Sequence, residues 1–161
     1  MNTPAQTLDL LRNKPLFSEF SDSELEQFLG LGDPEHFTEG QWIVRQESSG
    51  DCMYVVVSGH ASVVHHKDGY SFDLAVLKPG DFFGELALVD SGPRSADVIS
   101  LDSSTLLKVS KAGLAALSGV YPTVAFKFLI AIGRILVERL RKSNQRYVDS
   151  LLVPLPPKNV G

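Results

Sequence analysis

The stretch Gly50–Asp81, "GDCMYVVVSGHASVVHHKDGYSFDLAVLKPGD", decides the fold. Its glycines at 50, 59, 69 and 80 recur at intervals of about ten residues. Between them lie "CMYVVVS", "ASVVHH" and "YSFDLAVL", rich in the β-branched and aromatic residues that suit a pleated, half-buried surface. "KDGY" at 67–70 puts Asp68 and Gly69 at the tip of a hairpin. "KPGD" at 78–81 suits a type II turn, proline second and glycine third.

The pattern continues outward. Gly40 and Gly92 keep the spacing, and "QWIVRQ", "SADVISL" and "STLLKVS" add further short strands. Short strands with turn residues between them predict a mainly β domain, a sandwich or barrel, over about 34–109. Helices flank it. In "SDSELEQFLGL" Ser21 and Glu24 form a capping-box pattern, and Leu25, Phe28 and Leu29 follow at helical spacing. Pro15 to Phe20 reads as a turn before it. After Ser110, "SKAGLAAL" is a short helix, and Pro122, well placed in a first turn, opens a long one to about Tyr147.

The long helix carries Phe126, Leu129, Gly133, Leu136, Leu140, Ser143 and Tyr147 at alternating steps of three and four, a heptad seam. Ile132 and Ile135 lie beside it. The expectation is a helix that packs on the β domain early and on a twin helix later, as a homodimer. The domain organisation read this way is an N-terminal segment 1–13, a domain 14–149 with C-terminal helices from about 110, and a Pro-rich tail 150–161.

Composition bounds the function. The chain has 161 residues, enough for one domain, and a formal net charge of −4, without the global basic footprint of nucleic-acid binders. Arg139, Arg141, Lys142 and Arg146 cluster at a helix C-terminal end, where cations are favourable. They read as cap or partner surface, and no DNA contact is expected. Cys52 is the single cysteine, so neither an internal disulfide nor a cysteine metal site is available. No signal peptide and no run long enough for a membrane span are apparent, which points to the cytoplasm and to no membrane partner. His65 and His66 are neighbours on a strand and point to opposite faces, so they do not chelate one metal. No metal site and no catalytic residue are expected. No Gly-x-Ser-x-Gly elbow or P-loop appears, and the chain reads as a non-enzyme.

The chemistry concentrates in "FGELALVDSGPRSADV", Phe83–Val98. It sets one acid, Glu85, and one base, Arg94, among small and apolar residues. A charge in such surroundings is costly unless paired. Either the two pair with each other across the Gly92-Pro93 turn, or both serve a ligand. Three features favour an anion. Gly84 to Val89 can form a short helical turn with free backbone N–H groups at its start. Arg94 offers a planar fork of donors suited to phosphate oxygens. Ser95 and Ala96 are small enough for close approach. Glu85, an acceptor only, suits hydroxyls. A phosphate beside a sugar hydroxyl suggests a nucleotide.

The same stretch resembles the phosphate-binding cassette of the cyclic nucleotide-binding domain family: Phe-Gly-Glu-Leu-Ala-Leu at Phe83–Leu88, then Pro-Arg-Ser-Ala-x-Val at Pro93–Val98. "LKPGDFFGE", "GDCMYVVVSGHASV" and "LFSEFSDSELEQFL" are also similar to family signatures, so the resemblance covers about residues 14–142. It implies an eight-stranded, jelly-roll-like β-roll with an N-terminal helix and a long C-terminal helix. The implied ligand is 3′,5′-cyclic AMP, with cyclic GMP as the alternative. By the resemblance, Arg94 binds the exocyclic phosphate oxygens and Glu85 accepts from the ribose 2′-hydroxyl. Phe83 and the backbone of Gly84, Leu86, Ala87, Ser95 and Ala96 complete the cradle. The Ser95 hydroxyl is placed to bond the phosphate or a guanine amino group. The region of Arg139 and Leu140 is expected to cover the base. The implied role is that of a sensor whose C-terminal helix changes position and signals to an effector protein not identified by the sequence. The alternatives are a β-roll scaffold that binds no ligand and an excised regulatory domain of a larger protein. Many bacterial relatives continue into a helix-turn-helix module, for which the chain after the long helix has no room.

Overall fold

The computed structural model describes residues 4–152. The Pro-rich tail with Pro154, Pro156 and Pro157 lies outside the described residues. Two helices, α1 (Pro4–Arg12) and α2 (Asp22–Leu29), lead into eight strands: β1 (Asp33–Phe37), β2 (Trp42–Val44), β3 (Cys52–Ser58), β4 (Ala61–Lys67), β5 (Tyr70–Leu77), β6 (Phe82–Phe83), β7 (Asp97–Ser100) and β8 (Ser104–Ser110). A one-turn helix α3 (Leu86–Val89) interrupts them after β6, and α4 (Lys111–Val120) and α5 (Pro122–Leu151) follow. The strands form two antiparallel four-stranded sheets, ordered β1-β8-β3-β6 and β2-β7-β4-β5.

Sequence-level turn chemistry carries through to the backbone. Asp68 and Gly69 both take positive φ, 52° and 81°, as the β4–β5 hairpin requires. Gly80 has φ 89°, and the Asp81 N–H closes the turn on the Lys78 carbonyl at 2.9 Å. Ser21 and Glu24 make the reciprocal capping box at the start of α2.

The apolar run "CMYVVV" is continuous because β3 is buried on both faces. Met53 and Val55 face the helices, where they join Leu11, Phe17, Phe28, Leu107, Leu117 and Phe128. Cys52, Tyr54 and Val56 face the roll interior with Phe37, Phe83, Val98 and Leu106. Phe28 and Phe128 meet at 4.6 Å between ring centroids and tie α2 to α5. Lys127 of α5 bonds both carboxylate oxygens of Glu24 at 2.7 Å.

Three local expectations change. Nothing in the sequence marks β1 as a strand: Asp33, Pro34, Glu35 and His36 lack a β-like composition, and Pro34 has no N–H. It is an edge strand paired only with β8, where a proline is tolerated. Helix α5 continues past Tyr147 to Leu151. Its seam is exposed as expected except at one position. Leu136 turns inward and packs on the core beside Ile132 and Ile135. The exposed stripe keeps Phe126, Leu129, Leu140 and Tyr147 and adds Ile130, Val137 and Leu151. At 3.6 residues per turn, one position swings a side chain by about 100°, so α5's docking on α2, α4 and the β-roll decides which of two adjacent apolar residues is exposed. Among the described residues no helix is long and apolar enough to cross a membrane.

Candidate ligand-binding site

β6 ends against β3, with Phe83 opposite Tyr54 and their rings stacked at 5.3 Å. Gly84 then turns the chain at φ 78°, a region that favours glycine because it has no Cβ. Glu85 caps the one-turn α3, whose Ala87 and Leu88 N–H groups bond back to Gly84 and Glu85 carbonyls at 3.1 Å. The N–H groups of Glu85 and Leu86 precede those bonds at the start of the turn.

The chain returns through Gly92 and Pro93 to Arg94. Its backbone is clamped to the β2–β3 loop: the Arg94 N–H donates to Ser48 O, and the Glu47 N–H donates to Arg94 O, both at 2.9 Å. Its side chain is buried. Nη2 donates to the Cys52 carbonyl at 2.7 Å and approaches the Cys52 thiol at 3.4 Å, while Nη1 donates to the Gly84 carbonyl at 3.3 Å. Among the described residues no carboxylate forms an ion pair with Arg94. The Glu85–Arg94 pair, one of the two readings of the sequence, does not form. The guanidinium is held by neutral acceptors.

Two glycines make room for it. A Cβ on Gly84 would stand 2.5 Å from Arg94 Nη1, and one on Gly50 would stand 2.5 Å from Nη2. Gly50 was read only as a turn. Its value here comes from proximity to a side chain far away in sequence, which spacing does not reveal.

Strand β4 supports the other side. His65 Nδ1 lies 2.8 Å from the Ser95 carbonyl. A carbonyl only accepts, so this nitrogen carries the proton. His66 lies on the opposite face of β4, where its Nε2 meets buried Asp97 at 2.7 Å. Asp97 also accepts from the Gln46 N–H at 2.6 Å, fixing the strand that leaves the cassette. Burial, and then the Cys52 and Glu35 neighbours, raise the phenol of Tyr54, which stacks on Phe83, well above its ordinary pKa.

A pocket of about 300 Å³ opens here. Its walls include Val63, Leu77, Phe82, Phe83, Gly84, Glu85, Leu86, Ala87, Arg94, Ser95 and Arg139. Of the residues singled out from sequence, Ala96 is buried behind the wall and Leu140 is exposed outside the pocket. The remainder meet in it. Arg139, from α5, bonds the Glu85 carboxylate and lies 5.1 Å over the Phe82 ring. Its neighbours Phe82 and Leu77 were not read as site residues. Both come from strands whose apolar residues are indistinguishable in sequence from ordinary core. A compact pocket with one unneutralised guanidinium, one buried carboxylate and apolar walls suits a small anion that also carries hydroxyls and a flat ring.

Comparison with known proteins agrees with this chemistry. The family model described as "Cyclic nucleotide-binding domain" matches residues 34–119. A cyclic AMP receptor protein of Thermus thermophilus is 30% identical over 135 residues, 83% of this chain and 61% of that protein. This chain therefore spans about three fifths of that relative's length. A cGMP-dependent protein kinase of Caenorhabditis elegans is 29% identical over 102 residues, 62% of this chain and 13% of that protein. Among solved structures, the N-terminal domain of a transcriptional regulator from Streptomyces coelicolor A3(2) superposes with a TM-score of 0.74 at 32% identity, covering 86% of this chain and 94% of that one.

Proposed function

The chain belongs to the cyclic nucleotide-binding domain family, and from that premise we propose that it is a regulatory sensor of a 3′,5′-cyclic nucleotide, preferentially cyclic AMP. The observation that carries this reading is the buried Arg94 guanidinium, held by carbonyls, without a carboxylate partner among the described residues, and lining the pocket. A buried cation without an anionic partner is costly, and a ligand phosphate supplies that partner through charge-assisted hydrogen bonds. Glu85 then takes the ribose 2′-hydroxyl, and Phe82, Leu77 and Val63 offer apolar area to the base. A β-roll scaffold that binds no ligand needs neither charge.

Signalling passes through α5. Its early turns are anchored by Val124, Phe128 and Ile132, and its later turns leave the core. Ligand occupancy changes the position of that later half, and an effector reads it. The exposed stripe Phe126, Leu129, Ile130, Val137, Leu140, Tyr147 and Leu151 supports a second copy of this chain as one partner, because Phe126, Leu140 and Tyr147 recur at multiples of seven, as helix pairing requires.

The test is calorimetric titration of nucleotide-stripped protein with cyclic AMP and cyclic GMP, with Arg94→Ala as control. Cyclic AMP binding, tighter than cyclic GMP and weakened in the variant by about 1.5–3 kcal/mol, is the expected result. Absence of binding by either nucleotide overturns the reading.

A further inference from the structure

One oxygen of the Glu85 carboxylate, the group assigned to the ribose hydroxyl, already has a partner. Arg139 donates to it from α5. The Glu85 side chain is only 7% exposed, so few directions of approach remain. The Arg139 guanidinium also covers the Phe82 ring. Arg139 stands on the same face of α5 as Phe128, Ile132 and Ile135, which hold the helix to the core. It lines the cassette pocket and also a neighbouring pocket of about 340 Å³, and Leu77 and Phe82 line both. It therefore forms part of the partition between two halves of one cleft, and the same contact latches α5 to the cassette.

Resting on the cyclic nucleotide reading above, we propose that Arg139 is a competitor of the ligand for Glu85, and so sets how strongly the site reads the ribose 2′-hydroxyl. The hydroxyl takes the place of Arg139 on Oε1, so part of the ligand's binding energy goes into freeing α5. A ligand without the hydroxyl leaves the latch closed and loses little. A contact that held ligand and helix together would act in the opposite sense, because removing it would weaken binding.

The experiment measures binding of cyclic AMP and 2′-deoxy cyclic AMP to the wild-type chain, to Arg139→Met and to Arg139→Lys, with far-ultraviolet circular dichroism as the folding control. Met keeps an unbranched apolar stem and removes the donors. Lys keeps the charge. Arg139→Met is expected to bind cyclic AMP roughly two- to fivefold tighter, the size of a half-exposed ion pair, and to discriminate against the 2′-deoxy analogue more sharply than wild type does. Arg139→Lys should stay near wild type. Without ligand, hydrogen exchange around 135–142 should quicken in Arg139→Met while that of the β-roll strands stays unchanged, which tells local release of α5 from an overall loss of stability. Unchanged or weaker cyclic AMP binding in a folded Arg139→Met overturns the proposal and makes Arg139 a ligand contact. If the wild-type chain binds neither nucleotide, the reading of the site itself has failed, and this inference falls with it.

Discussion

The Arg94 guanidinium bonds the Cys52 carbonyl at 2.7 Å, 42 positions away in sequence, while the Glu85 carboxylate of its own cassette is taken by Arg139. The two charges that look like partners along the chain are thus held apart by different elements. Arg94 is oriented by neutral groups that do not quench it, and Glu85 is tied to the helix that leaves the domain. This separation leaves Arg94 without a carboxylate partner, where a direct ion pair with Glu85 would have neutralised it.

Gly50 tests the cradle without touching the ligand. A Cβ there would meet Arg94 Nη2 at 2.5 Å, and Gly50 has no positive φ to complicate the change. Gly50→Ala should push the guanidinium out of place. Cyclic AMP affinity should fall at least tenfold, and stability by about 1–3 kcal/mol, the usual cost of overpacking. Calorimetry and thermal unfolding measure the two effects. Full affinity in the variant would show that the guanidinium position is not set by this contact.

The Ser95 hydroxyl is exposed on the cassette and has no hydrogen bond among the described residues, while its carbonyl is held by His65. Ser95→Ala should weaken cyclic AMP and cyclic GMP equally, by about 0.5–1.5 kcal/mol for one hydrogen bond to phosphate. Parallel titrations give the ratio. A loss confined to cyclic GMP would show that the hydroxyl reads the guanine amino group instead.

The link between α2 and α5 should weaken in acid. The hydrogen bond from Lys127, and then the Ser21 backbone N–H, hold the Glu24 carboxyl below its ordinary value of 4.5. A carboxyl depressed in the folded state adds stability that is present above the unfolded value and is lost as pH falls through the folded one. Lys127→Met should therefore lower Tm at neutral pH, and its gap from wild type should narrow below pH 4.5. A gap independent of pH would assign the effect to packing alone.

The exposed α5 stripe predicts self-association. Wild-type chain should show the mass of two chains by light scattering, and Val137→Glu, which places a charge in the stripe away from the pocket, the mass of one. Cyclic AMP affinity should be retained in the variant if each pocket is complete within one chain. A monomeric wild type at high concentration would remove this partner.

Much of the fold was legible because its signals are local. The hairpin at Asp68-Gly69, the turn at Pro79-Gly80 and the Ser21–Glu24 box each involve backbone and side chains a few residues apart, so residue type and spacing suffice. The double burial of β3 shows as the unbroken run at Cys52–Val57. Strand β1 escaped because its stability comes from pairing with β8, not from its own composition. The inward turn of Leu136 escaped because Val137 beside it is equally apolar.

The site divides in the same way. The sequence by itself determined which groups the cassette carries: a glycine that must turn, an acid, a base and small residues around them. Only the tertiary structure decided what those groups touch. Gly50 and Cys52 arrive at Arg94 from the β2–β3 loop and the start of β3, and Arg139 reaches Glu85 from a helix 54 positions away. The physical reason is range. Turns and caps are set by dihedral angles over a few bonds, whereas the partner of a buried charge depends on where packed elements come to rest against one another, and that is a property of the whole core.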